Sequence, residues 1–185
     1  MCGHPKESSQ YQVFTLGAKQ KSWRMIECSI PHRPWSNGVC IDGVVYYVAD
    51  TGPELSQLSL MRFDVKSEKL DLITGVSADI VSKVVYGDIF VLNYEGKVAI
   101  PFRTTSYTFD VWVLDQDAKK HKWMKKLSFS IEPWKNLFPF INELWKTLSI
   151  IGITQTGEFI LAPLMYSSGE VYFVHYNHNR EFKKN

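Results

Sequence analysis

Apolar residues along this chain come in short continuous runs of strand length, bounded by turn signals. Glycine interrupts the runs at regular places. Val39-Cys40-Ile41 and Val44-Val45-Tyr46-Tyr47 flank Asp42-Gly43, and Phe90-Val91-Leu92 and Val98-Ala99-Ile100 lie on either side of Gly96. Ile150-Ile151 and Phe159-Ile160-Leu161 do the same around Gly157. A second marker is an Asp or Asn that closes an apolar strand: Asp64 after Met61-Arg62-Phe63, Asp115 after Trp112-Val113-Leu114, and Asn177 after Phe173-Val174-His175-Tyr176. The two markers keep step, because Gly43 to Asp64 spans 21 positions, Gly96 to Asp115 spans 19 and Gly157 to Asn177 spans 20.

Each copy predicts four short strands. Asp42-Gly43 is a two-residue hairpin signal, since a type I′ turn needs positive φ at both central positions. The Asx side chain at the end of the third strand can bond to backbone just beyond it and so start a turn. A charged loop follows, Lys66-Ser67-Glu68-Lys69 or Lys119-Lys120-His121-Lys122, and then a return strand marked by Leu70, Trp123 or Phe182. Tyr11–Gly17 and Ser22–Ile26 fit the second half of an earlier copy, with Thr15 to Trp23 spaced like Asp115 to Trp123. Sheets with apolar residues on both faces must stack on one another to hide them. Four strands in each repeat of ~50 residues is the signature of a kelch-like β-propeller. The expected fold is all-β, a partial propeller of about three and a half four-stranded antiparallel blades. The alternative is a β-sandwich, whose turns also recur at short intervals. Residues 1–10 are expected to form a disordered tail ahead of the domain at 11–185, and 131–146 form an aromatic insertion that lengthens the third repeat.

Composition narrows the function classes. With 21 Lys and Arg against 19 Asp and Glu, the net charge of +2 gives no strong field, so a dedicated nucleic-acid binder is not expected. Hydrophobic residues make up 45% of the 185, enough for a packed core. The N-terminus is polar and no run reaches the ~18 apolar residues of a membrane span. Three cysteines without C-x-x-C spacing indicate neither a disulfide framework nor a zinc knuckle. A cytoplasmic or nuclear location is the resulting expectation.

The strings FDVKSEKLDLI (Phe63–Ile73), LNYEGKVAI (Leu92–Ile100) and VWVLDQDAKKHKWMKK (Val111–Lys126) follow YQVFTLG and SWRMIE in order. Together they resemble the plant F-box-associated domain, type 3, over most of the chain. The resemblance implies a kelch-like propeller that follows an F-box in substrate adaptors of cullin-RING (SCF) ubiquitin ligases. In that scheme the F-box holds the SKP adaptor and the propeller holds a protein substrate. No F-box, with its early Leu-Pro, is visible ahead of Tyr11, so SKP adaptor and cullin are partners only if one is present elsewhere. A truncated paralogue without ligase docking is the alternative role.

Catalytic and metal motifs are sparse. Gly75-Val76-Ser77-Ala78-Asp79 lacks the final Gly of a nucleophile elbow, and Gly96-Lys97 is followed by Val98 in a hairpin rather than opening a helix. His175, His178 and the pair Cys28 and His32 do not form a zinc-ligand spacing. Asp42, Asp64, Asp88, Asp115 and Glu158 could pair as in a glycosidase-type propeller enzyme, but three of them already have turn duties. The sequence therefore predicts no enzyme and no cofactor. The lysines at 119, 120, 122, 125 and 126 read as a solvated hairpin whose charge discourages edge pairing. Trp134, Phe138, Phe140 and Trp145 read first as packing that plugs a propeller edge, and they are also the partner-contact candidates, since aromatics anchor interfaces more often than their abundance implies. Gly43, Asp64, Gly96, Asp115, Gly157 and Asn177 are expected to be structural.

Overall fold

The computed structural model describes residues 11–17, 19, 21–82, 89–115, 121–133, 148–164 and 173–178. Two compact units divide the chain, Met1–Val76 and Ser77–Asn185, and both consist mostly of antiparallel sheet.

In the first unit, β1 (Tyr11–Phe14) pairs with β2 (Trp23–Ile26) as a two-stranded sheet. The next sheet places β3 (Arg33–Pro34) and β4 (Val39–Ile41) end to end beside β5 (Val44–Thr51), followed by β6 (Gln57–Asp64) and β7 (Lys69–Gly75). Between β3 and β4 the ladder is bridged rather than broken. The Ser36 hydroxyl accepts the Val48 N–H at 2.8 Å, and Val48 O accepts the Trp35 N–H at 2.8 Å.

The second unit opens with the single-turn helix α1 (Ala78–Val81). Its larger sheet runs β8 (Leu92–Tyr94), β9 (Lys97–Arg103), β10 (Thr108–Asp115) and β11 (Lys122–Ser130) in order. The smaller runs β12 (Leu148–Ile153), β13 (Phe159–Pro163) and β14 (Val174–Tyr176). No helix among the described residues is long and apolar enough to cross a membrane.

The three glycine markers all fall between the first and second strands of a sheet. Ile41 pairs with Val44, leaving Asp42 and Gly43 at φ of 50° and 80°; Tyr94 pairs with Lys97, leaving Glu95 and Gly96 at 52° and 79°. These are the positive-φ pairs of type I′ turns, whose twist matches that of the flanking strands. Gly157, at φ 84°, ends a longer loop in which its N–H donates to Thr154 O at 3.0 Å, while Glu158 O accepts the Thr154 N–H at 2.9 Å. That is a three-residue hairpin with a bulge glycine.

The Asx markers close third strands. Asp64 ends β6, Asp115 ends β10 and Asn177 follows β14. The Asp64 carboxylate accepts the Ser67 N–H, three residues on, at 2.7 Å. Asn177 uses its amide differently, donating to Glu158 Oε1 at 3.1 Å across the hairpin. The return strand expected around Phe182 and the tail at 1–10 lie outside the described residues.

One register recurs. The residue just before the Asx position faces the marker of the return strand: Phe63 faces Leu70 and Leu114 faces Trp123. In the first hairpin Phe14, just before Thr15, faces Trp23 in the same way. The five-stranded sheet of the first unit and the four-stranded sheet of the second are buried on both faces along parts of their inner strands, since neighbours in sequence point to opposite faces. Val48 and Ala49, Leu60 and Met61, and Val98 to Ile100 are all at 0% exposure. The fourth strands β7 and β11 are mostly exposed or half-buried.

In the second unit the cover of one face is explicit. Leu92, Ala99, Phe109, Val111 and Phe129 pack against Leu148, Ile150, Phe159 and Leu161 of the smaller sheet. Phe129 sits at the centre, with ring centroids 5.5 Å from Phe109, 5.3 Å from Phe159 and 4.2 Å from Tyr176. Such offset stacks add to the area-based stabilisation of large buried rings. Phe109→Ala is expected to lower the unfolding free energy in urea by about 3–5 kcal/mol, whereas Gly96→Ala, strained at positive φ, costs about 1 kcal/mol or more. Equal and negligible effects of both changes would contradict the packing described.

Candidate interaction surface

Of the residues singled out in the sequence, Trp134, Phe138, Phe140 and Trp145 lie outside the described residues. Only the start of their segment is described, and it is anchored: Ile131 is 2% exposed in the core and its N–H donates to Tyr107 O at 2.9 Å. Gly43, Asp64, Gly96, Asp115, Gly157 and Asn177 each lie at or within two residues of a strand end.

At one such end, the Glu95-Gly96 turn, the end of β10 and the start of β11 enclose a groove of about 290 Å³. Its walls carry Lys97, Lys125 and Lys126 against Glu95 and Asp115, with the half-exposed Met124 as an apolar contact. Lys126 Nζ stands 4.0 Å from Glu95, and Lys125 Nζ lies 3.4 Å from the buried Asp110 carboxylate. Alternation holds at the start of the strand, where Trp123 is 6% exposed and Lys122 exposed, but a bulge opposite Val111 and Trp112 interrupts it at Lys126, so three consecutive residues reach the groove.

Exposed apolar side chains also occur on the first hairpin. Trp23 and Met25 are 66% and 55% exposed, and the Phe14 ring lies 5.3 Å from Trp23. The opposite face of the hairpin is tied down. Arg24 grips Glu68 through Nη2 and through Nε at 3.3 Å, and the Tyr11 ring stacks on His32 at 4.4 Å.

His32 is the most enclosed polar side chain of that region, and sequence reasoning assigned it no role. Its Nε2 lies 2.8 Å from the Tyr47 hydroxyl, and its Nδ1 lies 2.9 Å from both Ile30 O and the Tyr11 hydroxyl. Tyr11 donates in turn to His32 O at 2.7 Å. The carbonyl beside Nδ1 fixes the proton there, so Nε2 accepts from Tyr47 and the neutral ring is fully satisfied. Cys28 donates to Ile30 O at 3.3 Å and keeps its sulfur 3.9 Å from Nδ1. The histidine on β14, His175, stands 4.0 Å from Glu158. Among the described residues no three His, Cys, Asp or Glu side chains are grouped so as to hold a metal ion.

Burial pushes the His32 pKa down, opposed by the hydrogen bond to Ile30, and burial likewise pushes the Tyr47 hydroxyl up. The unfolded chain therefore binds the histidine proton more readily than the folded one. The contribution of this site to stability is complete above the ordinary histidine pKa of about 6.5 and shrinks as the pH falls through and below it. Hydrogen bonds from the Ser67 backbone and from Arg24 hold the Asp64 and Glu68 carboxyls low, so their contribution is lost only in the acid range below about 4. The thermal midpoint is expected to drop between pH 7 and pH 5 in the native chain, and His32→Gln should flatten that slope. A slope unchanged by the substitution would remove His32 as its source.

A chain that repeats one sheet pattern in this way is a β-repeat scaffold, with loops and grooves at its strand ends. It belongs to the F-box associated beta propeller domain family, whose profile matches residues 1–184. Similar curated proteins come from Arabidopsis thaliana. "Putative F-box protein At5g15660" is 54% identical over 177 residues, covering 95% of this chain and 38% of that protein. F-box protein At4g11590 is 52% identical over 170 residues, covering 92% and 41%. The chain thus spans less than half the length of these relatives. No solved structure matches it.

Proposed function

We propose that the chain is a protein-recognition module without catalytic activity: part of a kelch-like β-propeller that, when joined to an F-box, presents a protein substrate to an SCF-type cullin-RING ligase. The observation that carries this reading is the family membership, joined to relatives whose names mark them as F-box proteins. The sheets are consistent with it. In the two larger sheets parts of the second and third strands are buried on both faces and the fourth strands are mostly exposed or half-buried, which supports sheets packed side by side. A scaffold of this kind leaves its strand-end loops free for a partner, and function resides in those loops rather than in the fold.

The aromatic segment 131–146 is the leading contact surface for substrate, since Trp and Phe side chains dominate interface energetics. Trp134→Ala and Phe140→Ala should each weaken substrate capture while leaving the far-ultraviolet circular dichroism unchanged. Loss of the folded signal in both variants would assign these rings to packing instead.

The adaptor role has a separate test. Purified SKP adaptor should bind the chain in pull-down only when an F-box is fused in frame, and the same substrate should be recovered with and without the fusion. Recovery of different substrates from the two forms would contradict the division of labour. Glycoside hydrolysis abolished by substitution of one carboxylate would replace the reading with an enzymatic one.

A further inference from the structure

The loop between β3 and β4 carries the one Asn-Gly step of the chain, Asn37-Gly38. Neither residue belongs to a ladder, and both are exposed. Val39, Cys40 and Ile41 pair with Tyr46, Val45 and Val44. Opposed residues of an antiparallel pair are hydrogen-bonded alternately, counted from the pair that closes the turn. Ile41 and Val39 therefore hold the ladder bonds, and the Gly38 N–H points away from β5. Glycine suits the packing here, because a Cβ on Gly38 would stand 3.1 Å from Val45 Cγ1. The same missing Cβ leaves the Gly38 nitrogen open to the side chain before it. The asparagines at 93 and 177 are placed differently. Tyr94 and His178 follow them, Asn93 Oδ1 accepts the Gly96 N–H at 2.9 Å, and the Asn177 amide donates to Glu158.

Ser36 adds an activating contact. Its hydroxyl accepts the Val48 N–H at 2.8 Å and donates to the Asn37 main-chain O at 2.7 Å. A donor on that carbonyl withdraws charge from the peptide unit it shares with the Gly38 nitrogen and so favours loss of the N–H proton. The bond from Val48 polarises the hydroxyl further. We propose that Asn37-Gly38 is a self-modification site, at which Ser36 promotes conversion of Asn37 to aspartyl and isoaspartyl forms with water as the only co-reactant. The deprotonated Gly38 nitrogen attacks Asn37 Cγ. An N–Cγ bond forms, the Cγ–Nδ2 bond breaks, and the amide leaves as ammonia with the proton given up by Gly38. Water then opens the cyclic imide. Opening at Cγ leaves an aspartyl residue, and opening at the main-chain carbon leaves an isoaspartyl one. The second product makes the path between β3 and β4 one carbon longer, and either product lowers the net charge by one. The inference rests on this loop alone and is independent of any ligase role.

The test is mass spectrometry of proteolytic peptides from the full chain, incubated in mildly alkaline buffer either native or unfolded in urea. The native chain should gain one mass unit at Asn37 while Asn93 and Asn177 stay intact. Its conversion should be about three- to tenfold faster than in urea, where the Ser36 contacts are gone, a factor that matches the worth of one hydrogen bond. Ser36→Ala should bring the rate in native buffer down to the urea rate, and Ser36→Thr, which keeps the hydroxyl, should restore it. In urea the three chains should convert alike. A native rate no higher than the urea rate would overturn the proposal, since the fold would then protect the step instead of promoting it. A native rate unchanged by Ser36→Ala would overturn it equally.

Discussion

A β-sheet that is apolar on both faces has to be covered on both, and this requirement governs the whole chain. Val98, Ala99 and Ile100 are consecutive, point alternately to opposite faces, and are all inaccessible. The same holds for Val48 with Ala49 and for Leu60 with Met61. At about 25 cal/mol per Å² of apolar surface removed from water, no hydrogen-bond ladder compensates for leaving such a face open. The ladder sets which residues share a face, and a one-residue slip would turn each apolar set towards water. The glycine turns and Asx ends pin that register. The type I′ pairs Asp42-Gly43 and Glu95-Gly96 close two-residue loops, and Asn93 Oδ1 holds the Gly96 N–H at 2.9 Å.

In the two larger sheets the inner strands hold the buried residues and the fourth strands are more exposed, and the possible functions follow that division. Inner strands are committed to packing, so chemistry and recognition are left to strand ends, fourth strands and the segments between sheets. The groove at the Glu95-Gly96 turn, with three lysines and two carboxylates, is one such end. The His32 cluster illustrates the opposite case. Its ring nitrogens are occupied by Tyr11, Tyr47 and the Ile30 carbonyl, so the imidazole joins the first hairpin to the next sheet instead of exchanging protons with a ligand.

Much of this architecture was legible in the residues because turn chemistry is local. Positive φ at Asp42-Gly43 and the Asx turn at Asp64 depend on a few neighbouring atoms, and the spacing between them measures the lengths of the strands enclosed. Tertiary partners were not legible. Nothing in the sequence near His32 points to Tyr11 or to Tyr47, 21 and 15 positions away, or near Arg24 to Glu68, 44 away. The split of the first strand into Arg33–Pro34 and Val39–Ile41 was likewise hidden, because it depends on the Ser36 hydroxyl meeting Val48 across the sheet. The exposure of Trp23, 66% against 6% for Trp123, was likewise hidden, because both residues hold the same place in the hairpin register.

The recurring register is the claim on which the equivalence of the sheets depends, and proton–proton distances in solution measure it directly. Nuclear Overhauser effects across the strands should link Phe14 with Trp23, Phe63 with Leu70, and Leu114 with Trp123, each as directly opposed pairs. Contacts displaced by one residue in any of the three sheets would contradict the account.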